Sequence, residues 1–348
     1  MTYCCSNCFT DVAIQELIYR EATVKSCSFC GSNKVPCTSP ESLTGLFELL
    51  LNCIQEDDTG SSLSTIYTND LKILSNTVLY PNDLIRSIMG ENYHNKNFKL
   101  LESITEYRTA WENFKENLIK ENRFFPSNSL FSKIFTANIT NDGIISKEAS
   151  IFLRTVDALS QIRNKNFIFY RARISNSVLN ASEMGPPPYD LASAGRANPV
   201  GIPYLYIAED YTTCLKEVRP SNGATIYLSE ITPNQELKLV DLTNPKLEIA
   251  LLKFDEEEIE LVLKCLNLLQ QFSEELSKPI LPEKSNLEYI PTQFICEYLR
   301  TLKSYDGLVF NSSYGNGRNV VLFSDKNVII NEPSILKVTS VDVQVERG

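Results

Sequence analysis

Two Cys-x2-Cys pairs near the start of the chain constrain its folding more than any other feature. Cys5-Ser6-Asn7-Cys8 and Cys27-Ser28-Phe29-Cys30 are separated by residues 9–26. Each pair sets two thiolates on a tight turn, and two such turns close a tetrahedral shell of four sulfurs around zinc. Gly31, after the second pair, suits a backbone turn that offers amides to the sulfurs. A closed shell leaves no open coordination position, so zinc at Cys5, Cys8, Cys27 and Cys30 is expected to be structural. The competing reading is a set of buried free thiols. Cys4 and Cys37 are surplus, and Cys4 could replace Cys5 only with a wider, weaker gap to Cys8.

Six of the ten cysteines fall in the first 37 residues. In a reducing compartment such crowding points to metal and not to disulfides. The chain opens without a basic segment followed by an apolar core, and its apolar runs fall short of the roughly 20 residues a membrane span needs. A cytoplasmic protein with no membrane partner is therefore expected. A net charge of −10 over 348 residues argues against a broad nucleic-acid surface, while leaving room for a local basic pocket. His94 is the only histidine. That excludes metal centres built on two or three histidines and leaves one candidate base for a Ser-His-Asp group.

The length suggests two or three units, and the texture of the chain divides it into 1–38, 39–160 and 161–348. The middle part reads as helical. Ser39-Pro40-Glu41 places a capping serine before proline, and Leu43, Leu46, Phe47, Leu50, Leu51 and Ile54 repeat at helical spacing, up to the polar stop Asp57–Ser62. Further helices are predicted near 82–90, 98–121 and 146–160. After residue 160, short β-branched and aromatic runs take over: 167–170, 204–207, 224–228, 237–240, 307–310 and 319–323. Helices are predicted between them at 210–218, 255–277 and 291–303. The fold class is α+β. No Gly-x-Gly-x-x-Gly follows a strand, so a Rossmann mode of dinucleotide binding is excluded.

Four short motifs stand in order in the strand-rich part: Phe169-Tyr170-Arg171-Ala172-Arg173, Gly195-Arg196-Ala197-Asn198-Pro199, Leu215-Lys216-Glu217-Val218-Arg219-Pro220 and Phe310-Asn311-Ser312-Ser313. Together, over about 160–325, they resemble the RES domain, a family of NAD-consuming enzymes built like ADP-ribosyltransferases, several of them toxins of toxin–antitoxin pairs. The resemblance implies NAD as substrate, with Arg171, Glu217 and Ser312 catalytic and Arg171, Arg196, Tyr206 and Asn319 binding it. A zinc ribbon, a helical segment and then a RES domain is similar to an arrangement whose middle part is classed with HEPN domains. Many of those are RNases, but Arg86 and His94 are spaced more widely than their arginine–histidine pair, so His94 reads as a plain surface residue.

The chemistry fits these residue types. Nicotinamide leaves its ribose as a neutral base, so a site without histidine suffices. It needs diphosphate anchoring, a grip on the ring and stabilisation of an oxocarbenium-like sugar. Arginine offers phosphate a planar fork that lysine lacks. A tyrosine face attracts a cationic ring, though Tyr204 and Tyr206 share one face of a strand and both stay open. Glu217 can hold ribose hydroxyls and offset positive charge as the C–N bond breaks. Ser313 rivals Ser312, which is preferred for its place after Phe310-Asn311. Asn319 is open between ligand and turn residue. The resulting reading is NAD cleavage by phosphorolysis or glycohydrolysis in a toxin or defence effector, with an antitoxin or trigger protein as partner and self-association left open. A protein ADP-ribosyltransferase, or a non-catalytic NAD-binding zinc-ribbon adaptor, are the alternatives.

Overall fold

The N-terminal cysteines sit on a small antiparallel sheet of β1 (Cys4–Cys5), β2 (Thr23–Lys25) and β3 (Val35–Thr38), in the order β1-β3-β2. The structure is a computed structural model and describes residues 2–21, 23–136, 145–280 and 285–341. The chain divides into two compact units. The first comprises Met1–Glu112, Ile144–Ala158 and Asn244–Leu269, and the second Asn113–Gly143, Leu159–Thr243 and Gln270–Gly348.

Beyond its small sheet the first unit holds α1 (Val12–Glu21), α2 (Thr44–Leu51), α3 (Leu63–Thr65), α4 (Pro81–Met89), the start of α5 (Glu106–Lys120), and α6 (Lys147–Ala158). Three expectations fail here. The helix that begins after Pro40 stops at Leu51, and Ile54–Ser61 forms β4, paired with β5 (Phe98–Leu100). Asp57-Asp58-Thr59-Gly60 lies beyond the end of the helix, in the irregular stretch of β4 between the pairs Glu56–Phe98 and Ser61–Phe98. Gly60 permits the pairing, since a Cβ there would lie 2.2 Å from the Phe98 carbonyl. For the same reason the region 98–121 starts as strand and becomes α-helix only at Glu106. Ser39 stands at the expected cap position, yet its hydroxyl bonds the Glu41 carboxylate and no helix amide.

The second unit is built on nine strands: β6 (Ser160–Arg163), β7 (Phe169–Ile174), β8 (Leu205–Ala208), β9 (Thr225–Pro233), β10 (Leu237–Asp241), β11 (Gly307–Asn311), β12 (Arg318–Leu322), β13 (Val328–Ile330) and β14 (Ser334–Lys337). Their order is β13-β9-β7-β8-β12-β11-β10-β6, with β14 also on β9. Only β10 and β11 run parallel. Between β8 and β9 lies α7 (Tyr211–Glu217). In the chain between β10 and β11 come α8 (Pro245–Glu248), which belongs to the first unit, α9 (Glu256–Ser277), divided between the units after Leu269, and then α10 (Ser285–Glu288) and α11 (Ile290–Thr301) of the second.

Gly307-Leu308-Val309-Phe310 is buried throughout, as expected of a continuous apolar run covered on both faces. One face of the sheet packs Phe169, Leu205, Ile207, Val309, Val320 and Leu322 together. Burying each such side chain contributes about 1.5–3 kcal/mol relative to leaving it in water. The other face receives α7, whose Cys214 and Leu215, with Val218 just after the helix, pack on Ala172, Ala208 and Leu228. Asp210 starts that helix by accepting a hydrogen bond from the Thr213 amide at 2.8 Å. β7 and β8 pair at a single register position, Tyr170 with Ala208. The sheet is therefore loosely joined between these strands, and there the candidate site lies.

Candidate active site

Glu217 ends α7 with its side chain half-buried. Ser312, the first residue after β11, donates through Oγ to Glu217 Oε1 at 2.6 Å. Asn319, second in β12, donates through Nδ2 to the same oxygen, also at 2.6 Å. Antiparallel pairing of β11 and β12 puts both donors on one hairpin, closed by the Ser312 amide donating to the Gly317 carbonyl. Among the described residues Oε2 accepts no hydrogen bond. Ser313 turns away and donates to the Ser277 carbonyl at 2.8 Å. Ser312 is thus the serine joined to Glu217.

Arg171 reaches from β7 across to β8. One terminal nitrogen donates to the Tyr206 carbonyl at 2.6 Å and the other to the Gly185 carbonyl at 3.2 Å. Its buried Nε has no partner among the described residues. Burial, reinforced by the nearby positive charge of Arg173, pushes its pKa down to about 10, which leaves it cationic at neutral pH. Arg173 donates to the same Gly185 carbonyl at 2.7 Å. Neither arginine is ion-paired among the described residues. A buried guanidinium with a spare donor and no carboxylate is suited to an anionic ligand.

Arg196 sits on a loop fastened at many points. Its guanidinium donates to the Leu276 carbonyl at 2.6 Å, and Thr292 Oγ1 donates to the Arg196 carbonyl at 2.6 Å. Gln293 Nε2 bonds the carbonyls of Gly195 and Asn198. Tyr206 adds the inner brace: its hydroxyl donates to Asn198 Oδ1 at 2.7 Å and accepts from the Ala197 amide at 3.0 Å. A Cβ at Gly195 would fall 2.5 Å from both that hydroxyl and Asn198 Oδ1, so this position requires glycine. Tyr204 lies just before β8 and is buried under Arg300, whose guanidinium is 5.4 Å from its ring centroid. Of the two tyrosines, Tyr206 lines the cavity of the candidate site.

Arg171, Arg196, Tyr206, Glu217 and Asn319 line one cavity of about 290 Å³, with Phe310 and Cys214 completing its apolar wall. That is near the lower edge of the roughly 300–1,000 Å³ of ligand clefts. Sequence reasoning missed Gly185, Thr292 and Gln293, which act on the site through backbone carbonyls. Gly185-Pro186-Pro187-Pro188 was the one visible signal of a fixed backbone there.

At the other end of the chain, the Sγ atoms of Cys5, Cys8, Cys27 and Cys30 all lie within 4.8 Å of one another. Cys5 and Cys30 are 3.4 Å apart, as are Cys8 and Cys27. Tetrahedral zinc with Zn–S near 2.3 Å sets sulfurs roughly 3.8 Å apart, so this donor set fits zinc after small adjustments. Gly31 takes the left-handed conformation, φ +76°, that the turn after Cys30 needs. Cys4 instead directs its thiol to the Thr38 carbonyl. In the first unit, Arg86 and the half-buried His94 line a second cavity of about 270 Å³, where Arg86 is paired with Asp83.

The RES domain family model matches residues 168–342, half of the chain. The chain belongs to the RES domain family. The site described above, from Arg171 to Asn319, falls within that matched segment. A chain of the crystal structure titled the M. tuberculosis MbcT–MbcA toxin–antitoxin complex aligns at 14% identity and a TM-score of 0.32, over 55% of this chain and 94% of that one. No curated protein matches the chain. No helix among the described residues is long and apolar enough to cross a membrane.

Proposed function

We propose that this RES protein cleaves NAD at the bond between nicotinamide and ribose, passing ADP-ribose to phosphate or water. The observation that carries this reading is Glu217, a carboxylate held through one oxygen by Ser312 and Asn319 at the wall of a cavity that Arg171 and Arg196 also line. In the reaction the C–N bond breaks, its electron pair leaves with neutral nicotinamide, and the acceptor oxygen bonds the sugar carbon and releases its proton to solvent. Glu217 stabilises the cationic sugar through Oε2 while the two donors on Oε1 keep the group oriented. Arg171 and Arg196 hold the diphosphate. Tyr206 offers its ring to the nicotinamide, since its hydroxyl is already engaged by the Arg196 loop.

In the same proposal the four cysteines hold one structural zinc. The enzyme acts in the cytoplasm as a toxin or defence effector, restrained by an antitoxin or trigger protein. Purified protein incubated with NAD should release nicotinamide, with a phosphorylated ADP-ribose in phosphate buffer or free ADP-ribose without phosphate. Intact NAD after prolonged incubation in both buffers would remove the enzymatic reading and leave a binding protein.

A further inference from the structure

The contact between Glu217 and Ser312 has a parallel two residues further along each segment. Arg219 lies with its guanidinium 4.6 Å from the centroid of the Tyr314 ring. The Tyr314 amide donates to Ser312 Oγ at 3.1 Å. With that donor on its oxygen, the Ser312 hydroxyl is left to donate its own hydrogen to Glu217. The end of α7 and the β11–β12 turn are therefore tied by two rungs, 217 to 312 and 219 to 314.

The second rung is held against a backbone preference. Arg219 has φ +47°, a left-handed conformation that disfavours any side chain with a Cβ, and it precedes Pro220, which biases it toward extended backbone. Glycine would occupy the position more easily. The stack on Tyr314 is what an arginine gains there. The turn is otherwise shaped to lie against α7: a Cβ at Gly317 would overlap Thr213 Oγ1 at 1.6 Å, and one at Gly315 would lie 3.5 Å from Lys216 Nζ.

We infer that Arg219 and Tyr314 are positioning residues, a clamp that fixes the Ser312 hydroxyl on Glu217 for the reaction proposed above, and the inference rests on that reading. Neither residue touches the reacting atoms. Their effect lies in the rate and not in the fold, because the clamp retains a strained residue where an unstrained one would fit.

The full chain is assayed for nicotinamide release from NAD as wild type, Arg219→Gly, Tyr314→Ala, Tyr314→Phe and Glu217→Gln. Arg219→Gly relieves the backbone, so its melting temperature should match or exceed wild type while kcat falls about tenfold and KM changes less than about twofold. Tyr314→Ala should lose as much, the double change no more than either single one, and Tyr314→Phe should recover most of the rate because the ring remains. Arg219→Gly turning over at the wild-type kcat, beside an inactive Glu217→Gln, would overturn the clamp and leave the Glu217 reading standing. A wild type that releases no nicotinamide, or a Glu217→Gln that matches it, would overturn both.

Discussion

Glu217 and Ser312, 95 positions apart in the chain, meet at 2.6 Å with the hydroxyl donating to the carboxylate. The pairing decides what each group can do. The serine has no histidine to take its proton and gives its hydrogen to a carboxylate, so it acts as a donor and not as a nucleophile. The glutamate keeps one oxygen fixed and the other available. Since Asn319 also donates to Oε1, a neutral pair of donors holds a single negative charge at the cavity wall.

Ser312→Ala removes one of these donors and should lower kcat about ten- to hundredfold, less than loss of a group acting directly on the transition state. Ser313→Ala gives up only a bond to the Ser277 carbonyl and should stay near wild type. Steady-state nicotinamide release by both variants checks the assignment; the reverse order of effects would give the role to Ser313.

Tyr206→Phe should loosen the Arg196 loop. It leaves Asn198 Oδ1 and the Ala197 amide without their shared partner, at a cost of about 1–3 kcal/mol. Burial raises the Tyr206 phenol above its ordinary value, against the smaller pull of the Ala197 amide. A raised folded-state value means that its stabilisation is complete below about pH 10 and fades as pH rises through the folded-state value. Urea midpoints measured from pH 8 upward should therefore fall less steeply on the alkaline side for Tyr206→Phe. Parallel curves would show that the phenol is not coupled to folding.

Elemental analysis should find about one zinc per chain, lost on joint replacement of Cys27 and Cys30 by serine. Cys4→Ser should retain it, because the Cys4 thiol is directed to Thr38. Metal-free wild-type protein with an intact N-terminal sheet would remove the zinc assignment.

His94→Ala should leave nicotinamide release unchanged, since His94 lines a cavity of the first unit, and the candidate site is built from the second. A reproducible RNase activity that disappears in this variant would show that the cavity beside Arg86 has its own chemistry.

The strands of the second unit were legible because β8, β11 and β12 carry β-branched and aromatic runs bounded by Gly, Asn or Asp. β4 was not, since Glu56-Asp57-Asp58-Thr59-Gly60 has neither alternation nor apolar content, and the strand is pinned only by the pairing of Ile54–Glu56 and Ser61 with Phe98–Leu100. β6 and β14 are short with polar ends, and β13 is only the three residues Val328-Ile329-Ile330, too few to mark a strand by themselves. At the candidate site, motif order brought forward Arg171, Arg196, Glu217 and Ser312. What it could not give was geometry. Ser312 and Ser313 are equivalent until the hairpin register sends one to Glu217 and the other to Ser277. The joint grip of Arg171 and Arg173 on Gly185 is made to a carbonyl, which leaves no side-chain signature.

The measurement that bears most directly on the account is free nicotinamide over time from NAD, with purified wild type compared with Glu217→Gln, both folded by circular dichroism. Glutamine keeps the shape and loses the charge, so turnover should fall about 10²–10³-fold, the scale for one preorganised electrostatic group. Equal release from the two proteins would contradict the central role given to Glu217.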